Sequence, residues 1–218
     1  NSRKKKLFKN LKYIPQENLE IFFKGDFEEK HMGSLKELGS YAMKTAVAVR
    51  GKEEPEPYRV STFCFKDGNG LYLILAYKGK EDKEFFEELL ESLSYTGIGG
   101  KRSAGFGRFE AVERKMPESL RKKLTDTGKM NILLSTALPQ KQQLEKVLEE
   151  ATYTLIRRGG FIDSQNLKDG PKRKKDIYVF APGSCFKTTF SGQVEEEETG
   201  GEHSVFRYEK ALFLGVNL

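Results

Sequence analysis

The sequence has no tryptophan, only two cysteines and only two histidines. Cys64 and Cys185 stand far apart in strand-like runs, so no cysteine–histidine metal cluster can be assembled. Both are expected to be free, buried thiols in a reducing cytoplasm. No apolar run approaches the ~20 residues that span a bilayer, and no signal-peptide pattern is present. No membrane, metal or cofactor role is therefore expected. Catalytic signals are equally scarce. His31 lies in Lys30-His31-Met32-Gly33-Ser34 and His203 in an acidic, glycine-rich stretch, neither with a flanking motif. No Gly-x-Ser-x-Gly, paired-carboxylate or Asp/Glu metal pattern occurs, and no catalytic residue is assigned.

What the chain does have is charge and glycine. Charged residues make up 32% of it, with a net charge of +6, a balance that permits nucleic-acid binding without requiring it. Gly97, Gly99, Gly100, Gly105 and Gly107 are interleaved with Lys101, Arg102, Ser103 and Arg108. Glycine allows backbone N–H groups to approach a ligand closely, and lysine and arginine supply the charge a phosphate chain demands. A Walker A loop is excluded because Tyr95 stands six residues before Lys101 and Arg102 follows it. The dinucleotide fingerprint is excluded because Arg102 occupies the third glycine position and a helix, not a strand, precedes the loop. A cationic clamp for a polynucleotide backbone remains; the alternative is a solvated turn whose glycines only cap a helix.

The run Gly97-Ile98-Gly99-Gly100-Lys101-Arg102-Ser103-Ala104-Gly105-Phe106-Gly107-Arg108-Phe109 resembles the glycine-rich signature of the RAMP proteins of CRISPR systems. The likeness is closest to the RAMP subunit of type III-A (Csm) complexes that caps the 5′ end of the crRNA. Glu56-Pro57-Tyr58-Arg59-Val60, Gly159-Gly160-Phe161, Gly183-Ser184-Cys185-Phe186 and the stretch from Phe206-Arg207-Tyr208 to Leu212-Phe213-Leu214 are similar to other parts of that family's pattern. The resemblance spans essentially the whole chain. It implies two ferredoxin-like RAMP domains and a non-catalytic subunit that holds the crRNA 5′ tag with target RNA nearby. It also implies docking to the large polymerase-like subunit and to the backbone RAMP subunit. In the resembling family a substantial stretch precedes this point, so the sequence is expected to be a C-terminal portion whose first domain is incomplete.

Taken in order, the chain opens on a cationic segment at 3–12, readable either as an RNA-facing arm or as a solvated face around Leu7, Phe8 and Leu11. A short helix is expected over 17–29. Alternating runs at 45–50 and 58–65, separated by a proline-bearing bend at 51–57, predict a hairpin. It resembles the thumb by which RAMP subunits kink a crRNA, with Arg50 and Arg59 as candidate phosphate contacts; an ordinary edge hairpin is the alternative. Asp67-Gly68-Asn69-Gly70 predicts a turn into a strand at 71–76. Phe85, Phe86, Leu89, Leu90 and Leu93 form one helical face over 81–95, expected to pack on the sheet. A strand is expected at 108–112, putting the glycine loop on the rim of a sheet.

These elements make residues 1–115 the first domain. Residues 116–129 read as a charged linker and 130–218 as a second domain with a βαβ-like opening: strand 131–137, helix 140–151, strand 153–157. Further strands are expected at 177–180, 184–191 and 204–216, with the tetrad 172–175 before them and the acidic run Glu195–Glu198 as a solvated loop. Two other functions stay in view. A metal-independent crRNA-processing endoribonuclease would use His31 with lysine or tyrosine help, and tandem RRM-like sheets would display exposed aromatics in a fixed pattern.

Overall fold

Alternation of apolar and polar residues over 39–65 builds the first element of tertiary structure, a long antiparallel ribbon. In the computed structural model, which describes residues 2–48, 56–162, 172–197 and 204–217, strand β1 (Gly39–Ala48) pairs with β2 (Glu56–Phe65). The register runs from Gly39 opposite Phe65 to Ala48 opposite Glu56, so the hairpin reaches further back than the sequence pattern suggested. Glu56 and Pro57, read as part of the bend, lie in β2; an edge strand tolerates a proline because an N–H is not required on its open side. Arg50 and most of the bend fall outside the described residues.

The chain divides into two compact units, the first comprising residues 1–18 and 28–115 and the second 19–27 and 116–218. In the first, α1 (Ser2–Asn10) carries the cationic segment, and a kinked 3₁₀ stretch at Glu29–Glu37 leads into the hairpin. The long helix of this unit, numbered α3 below, spans Lys80–Thr96. Its apolar face does not pack as expected: Phe85, Leu89 and Leu93 are exposed. Two expected strands are also missing. Residues 71–76 and 108–112 have no ladder partner among the described residues, and Leu71, Tyr72 and Leu73 face solvent. An alternating sequence supplies the pattern of a strand, but the strand exists only where another backbone accepts its hydrogen bonds.

The second unit is built differently. The apolar stretch at 19–27 forms α2 (Leu19–Phe23) and ends on the fully buried Phe27, whose ring meets that of Phe22 edge-on at 5.9 Å. The expected linker contains α4 (Glu118–Thr125), which contacts the last strand of the chain. Lys123 on α4 pairs with Glu20 at 2.8 Å and lies over the Phe23 ring, tying α4 to α2. Strand β3 (Met130–Leu133) is central in a three-stranded antiparallel sheet, between β6 (Cys185–Phe186) and β9 (Phe213–Val216). Short α5 (Leu144–Leu148) follows a 3₁₀ turn.

No βαβ unit forms there. Strand β4 (Leu155–Arg158) leaves β3's sheet and pairs antiparallel with β5 (Ile177–Phe180). The acidic run, read as a loop, supplies β7 (Gly192–Glu197), paired with β8 (Val205–Lys210). It can do so because Arg207, opposite Glu195, turns inward and binds the Glu197 carboxylate. Leu133, Ala137, Val147, Phe180, Phe186 and Phe190 form the core, with successive ring contacts at 5.0 Å (Phe180–Phe186) and 5.5 Å (Phe186–Phe190). Each such aromatic removes enough apolar area from water to contribute about 2–3 kcal/mol. Asn131 is buried here and satisfied: its amide donates to the Phe186 and Lys187 carbonyls and its oxygen accepts from the Gly128 N–H.

The architecture is thus mixed α/β with small antiparallel sheets. The two thiols differ from expectation as well. Cys185 is partly buried, and Cys64, one residue from the end of β2, is exposed.

Candidate nucleic-acid interface

The glycine loop begins where α3 ends. Gly97 turns the chain out of the helix at a φ of 84°, and its N–H donates to the Leu93 carbonyl at 2.7 Å. The loop closes on itself at its base, where the Ile98 N–H donates to the Gly107 carbonyl at 3.0 Å. Gly107 is required at that closure, since a Cβ there would overlap the Ile98 carbonyl. Within the loop a 3₁₀ turn, Arg102–Ala104, is held by Ala104 and Gly105 N–H groups donating to Lys101 and Arg102 carbonyls. Lys101 itself takes a left-handed conformation, φ 58°.

Gly97 is buried, while Gly99, Gly100, Lys101, Arg102, Ser103, Gly105 and Arg108 are exposed along the loop and Gly107 is half-buried. The N–H groups of Gly99, Gly100 and Lys101 donate to no backbone carbonyl among the described residues, and a Cβ at Gly99 or Gly100 would meet nothing. The loop therefore combines an open backbone edge with clustered cations, the two features that bind phosphates.

The structure brings this loop against the hairpin. The Lys101 ammonium sits 4.7 Å from the centre of the Tyr58 ring, and Lys44 lies 5.8 Å from that of Phe106. Lys44 stands opposite Val60 and Tyr58 opposite Ala46, so Lys44 and Tyr58 share one face of the ribbon. Arg59, opposite Thr45, belongs to the other face and does not join the loop. Tyr58 stands in the stretch Glu56-Pro57-Tyr58-Arg59-Val60 but was not singled out as a site residue, and Lys44 carried no signal in the sequence. The hairpin register places them two pairs apart on one face. Below the loop, Lys83 bridges Glu87 and Glu113. Its ammonium is held above the usual lysine range, chiefly by hydrogen bonds to Glu113 and then Glu87.

His31 has a structural task. Its Nδ1 accepts the Glu28 N–H at 2.9 Å, while the Asn18 amide donates to the His31 carbonyl at 2.8 Å. His203 lies outside the described residues. No group of metal-ligating side chains occurs among the described residues. None of the described helices is long and apolar enough to cross a membrane.

Comparison with known proteins bears on this arrangement. Residues 1–110 match the RAMP superfamily model and residues 126–216 the CRISPR Csm4 C-terminal domain. The Csm4 protein of Mycobacterium tuberculosis (strain CDC 1551 / Oshkosh) is 35% identical over 99% of this chain and 70% of its own length. That of Streptococcus thermophilus is 33% identical over 99% of this chain and 69% of its own length. A chain in the crystal structure of the Csm3–Csm4 subcomplex of the type III-A CRISPR-Cas interference complex has a similar fold. It gives a TM-score of 0.53 at 21% identity, covering 94% of this chain and 61% of that one. The chain thus spans about two thirds of the length of these relatives, and it belongs to the Csm4 family of the CRISPR RAMP superfamily.

Proposed function

We propose that this chain is the RNA-holding part of a subunit of a type III-A Csm effector complex, gripping the 5′ tag of the crRNA through the glycine loop. The observation that carries the reading is the junction of loop and hairpin. The loop's open N–H edge at Gly99–Lys101 ends on Lys101, whose ammonium lies over the exposed Tyr58 ring, with Lys44 on the same hairpin face and Arg102 next along the loop. The hairpin acts as a thumb against the RNA path. Each unit is the counterpart of a ferredoxin-like RAMP domain, a reading supported by the two family models. Docking to a backbone RAMP subunit is supported by the Csm3–Csm4 pairing of the structural relative; docking to the polymerase-like subunit and proximity to target RNA complete the role. The protein works in the cytoplasm, without metal or cofactor, and without catalysis of its own. The engagement of His31 with the Glu28 N–H favours this over the endoribonuclease alternative.

The test is binding of a fluorescent tag RNA to the full-length protein across a salt series. Lys101→Ala and Arg102→Ala should each weaken binding and reduce the salt slope by about one contact. Gly99→Val should lose affinity even at low salt, because a β-branched side chain cannot readily take the φ of 86° found there. Wild-type affinity in all three folded variants would make the loop structural. Metal-independent cleavage of repeat RNA, lost in His31→Ala, would replace the binding role with an enzymatic one.

A further inference from the structure

The second unit carries its own cationic ribbon, distant in sequence from the glycine loop. Strands β4 and β5, with the residues that extend them, place six cations against one carboxylate: Arg157, Arg158 and Lys172 to Lys175 against Asp176. The two strands remain paired beyond their ladder. Phe161 bridges to Arg173, with the Ile162 N–H donating to the Lys172 carbonyl and the Lys174 N–H to the Gly160 carbonyl, both at 2.8 Å.

Two arginine–aromatic pairs result. Arg157 stands opposite Tyr178, and Arg173 stands opposite Phe161. Both rings are exposed, Tyr178 by 63% and Phe161 by 68%. The two guanidiniums converge on Asp176, Arg173 at 3.0 Å and Arg157 at 3.8 Å. Gly159 leaves room for that carboxylate, which a Cβ would overlap. From behind, the buried Arg207 donates to the Arg158 and Lys175 carbonyls and fixes both arms at the point where the pairing is interrupted.

We propose that this ribbon is a second single-stranded RNA site, taking a stretch of RNA other than the one on the glycine loop. The proposal rests on the RNA-holding role argued above. Its chemistry is that of a stacking platform: exposed rings accept base faces of any sequence, while arginines and lysines contact the phosphates between them. A protein partner is the competing occupant. It is disfavoured because, among the described residues of the two arms, cations outnumber acids six to one, with the buried Glu209 adding a second carboxylate near Arg158, and the exposed rings sit among them.

The full-length protein would be titrated by fluorescence anisotropy with single-stranded RNAs of about 10 and about 30 nucleotides, and with the longer RNA as a duplex. Arg157→Ala/Arg173→Ala should weaken binding of the longer single strand about tenfold and lower its salt slope by about two contacts. Tyr178→Ala should weaken it about fivefold or more at an unchanged slope. Photo-crosslinking of the wild-type protein to 4-thiouridine RNA should label Tyr178 or Phe161, a readout independent of how well the variants fold. Unchanged affinity in the ribbon variants, no crosslink at either ring, or equal binding of the duplex overturns the proposal. So does loss of copurifying protein partners with RNA affinity intact. Where the ribbon variants bind normally but Lys101→Ala does not, the ribbon site fails and the glycine-loop reading stands. Normal binding in both sets removes both.

Discussion

The two units make opposite use of similar sequence material. Every buried apolar side chain of the core, from Phe27 through Leu133, Phe180 and Phe186 to Val216, lies in the second unit. In the first, only Pro15 and Gly97 are buried among the described side chains. Yet the first unit is not poor in apolar residues. Tyr41, Met43, Leu71, Tyr72, Phe85 and Leu89 are all exposed. The difference lies in layering: the second unit gathers side chains from several strands and α5 into one cluster, whereas among the described residues the first offers a hairpin, two α-helices and extended segments without such a cluster. A face without a partner gains nothing from its pattern.

That contrast can be tested directly by truncating side chains. Phe186→Ala, in the centre of the second unit's ring cluster, should cost about 3–5 kcal/mol of that unit's stability in a urea titration. Leu89→Ala, on the exposed face of α3, should cost under ~0.5 kcal/mol. A large loss at Leu89 in the full-length protein would show that its face is covered there. Hydrogen exchange would sharpen the result, with amides of β3 and β9 protected longest and those of 71–76 exchanging fast.

The buried charges of the second unit come next in size. Arg207 is buried, pairs with Glu197 and satisfies two carbonyls, and the neighbouring Glu209 is buried with its Oε1 3.8 Å from Arg158. Removing one partner of such a pair strands the other, so Arg207→Ala should destabilise by about 3 kcal/mol. The sequence marked this stretch only as a strand similar to the family's C-terminal pattern; it is the register that turns Arg207 and Glu209 inward.

The smallest effect separates the two thiols. Burial pushes the Cys185 thiol above the usual cysteine range, whereas Cys64 is exposed on β2. A maleimide should therefore label Cys64 first, and Cys185 labelling should need higher pH, since a raised pKa leaves less thiolate at neutrality. Equal rates near pH 7 would show that the second unit opens readily enough to remove the distinction.

Much of the local structure was legible from the chain. The helix at 80–96, the turn at Asp67–Gly68 and the hairpin arms follow from periodicity and turn chemistry. The glycine loop was located by composition, and its helix-end position by the apolar stripe before it. What could not be read was pairing. The strand patterns at 71–76 and 108–112 are as good as those at 155–158, but among the described residues only the last pairs in a ladder. The acidic run failed in the other direction: its described part, Glu195 to Glu197, lies in a strand, with Glu197 paired to the inward Arg207.

The sequence by itself determined the long helix at 80–96, the turn at Asp67–Gly68, and that a cationic, glycine-rich segment is exposed, because these depend on neighbours within a few residues. Only the tertiary structure decided that Lys44 and Tyr58 join the loop while Arg59 faces away, and that Arg157 and Arg173 meet at one carboxylate. Those are matters of strand register, and a shift of one residue would send every one of those side chains to the opposite face.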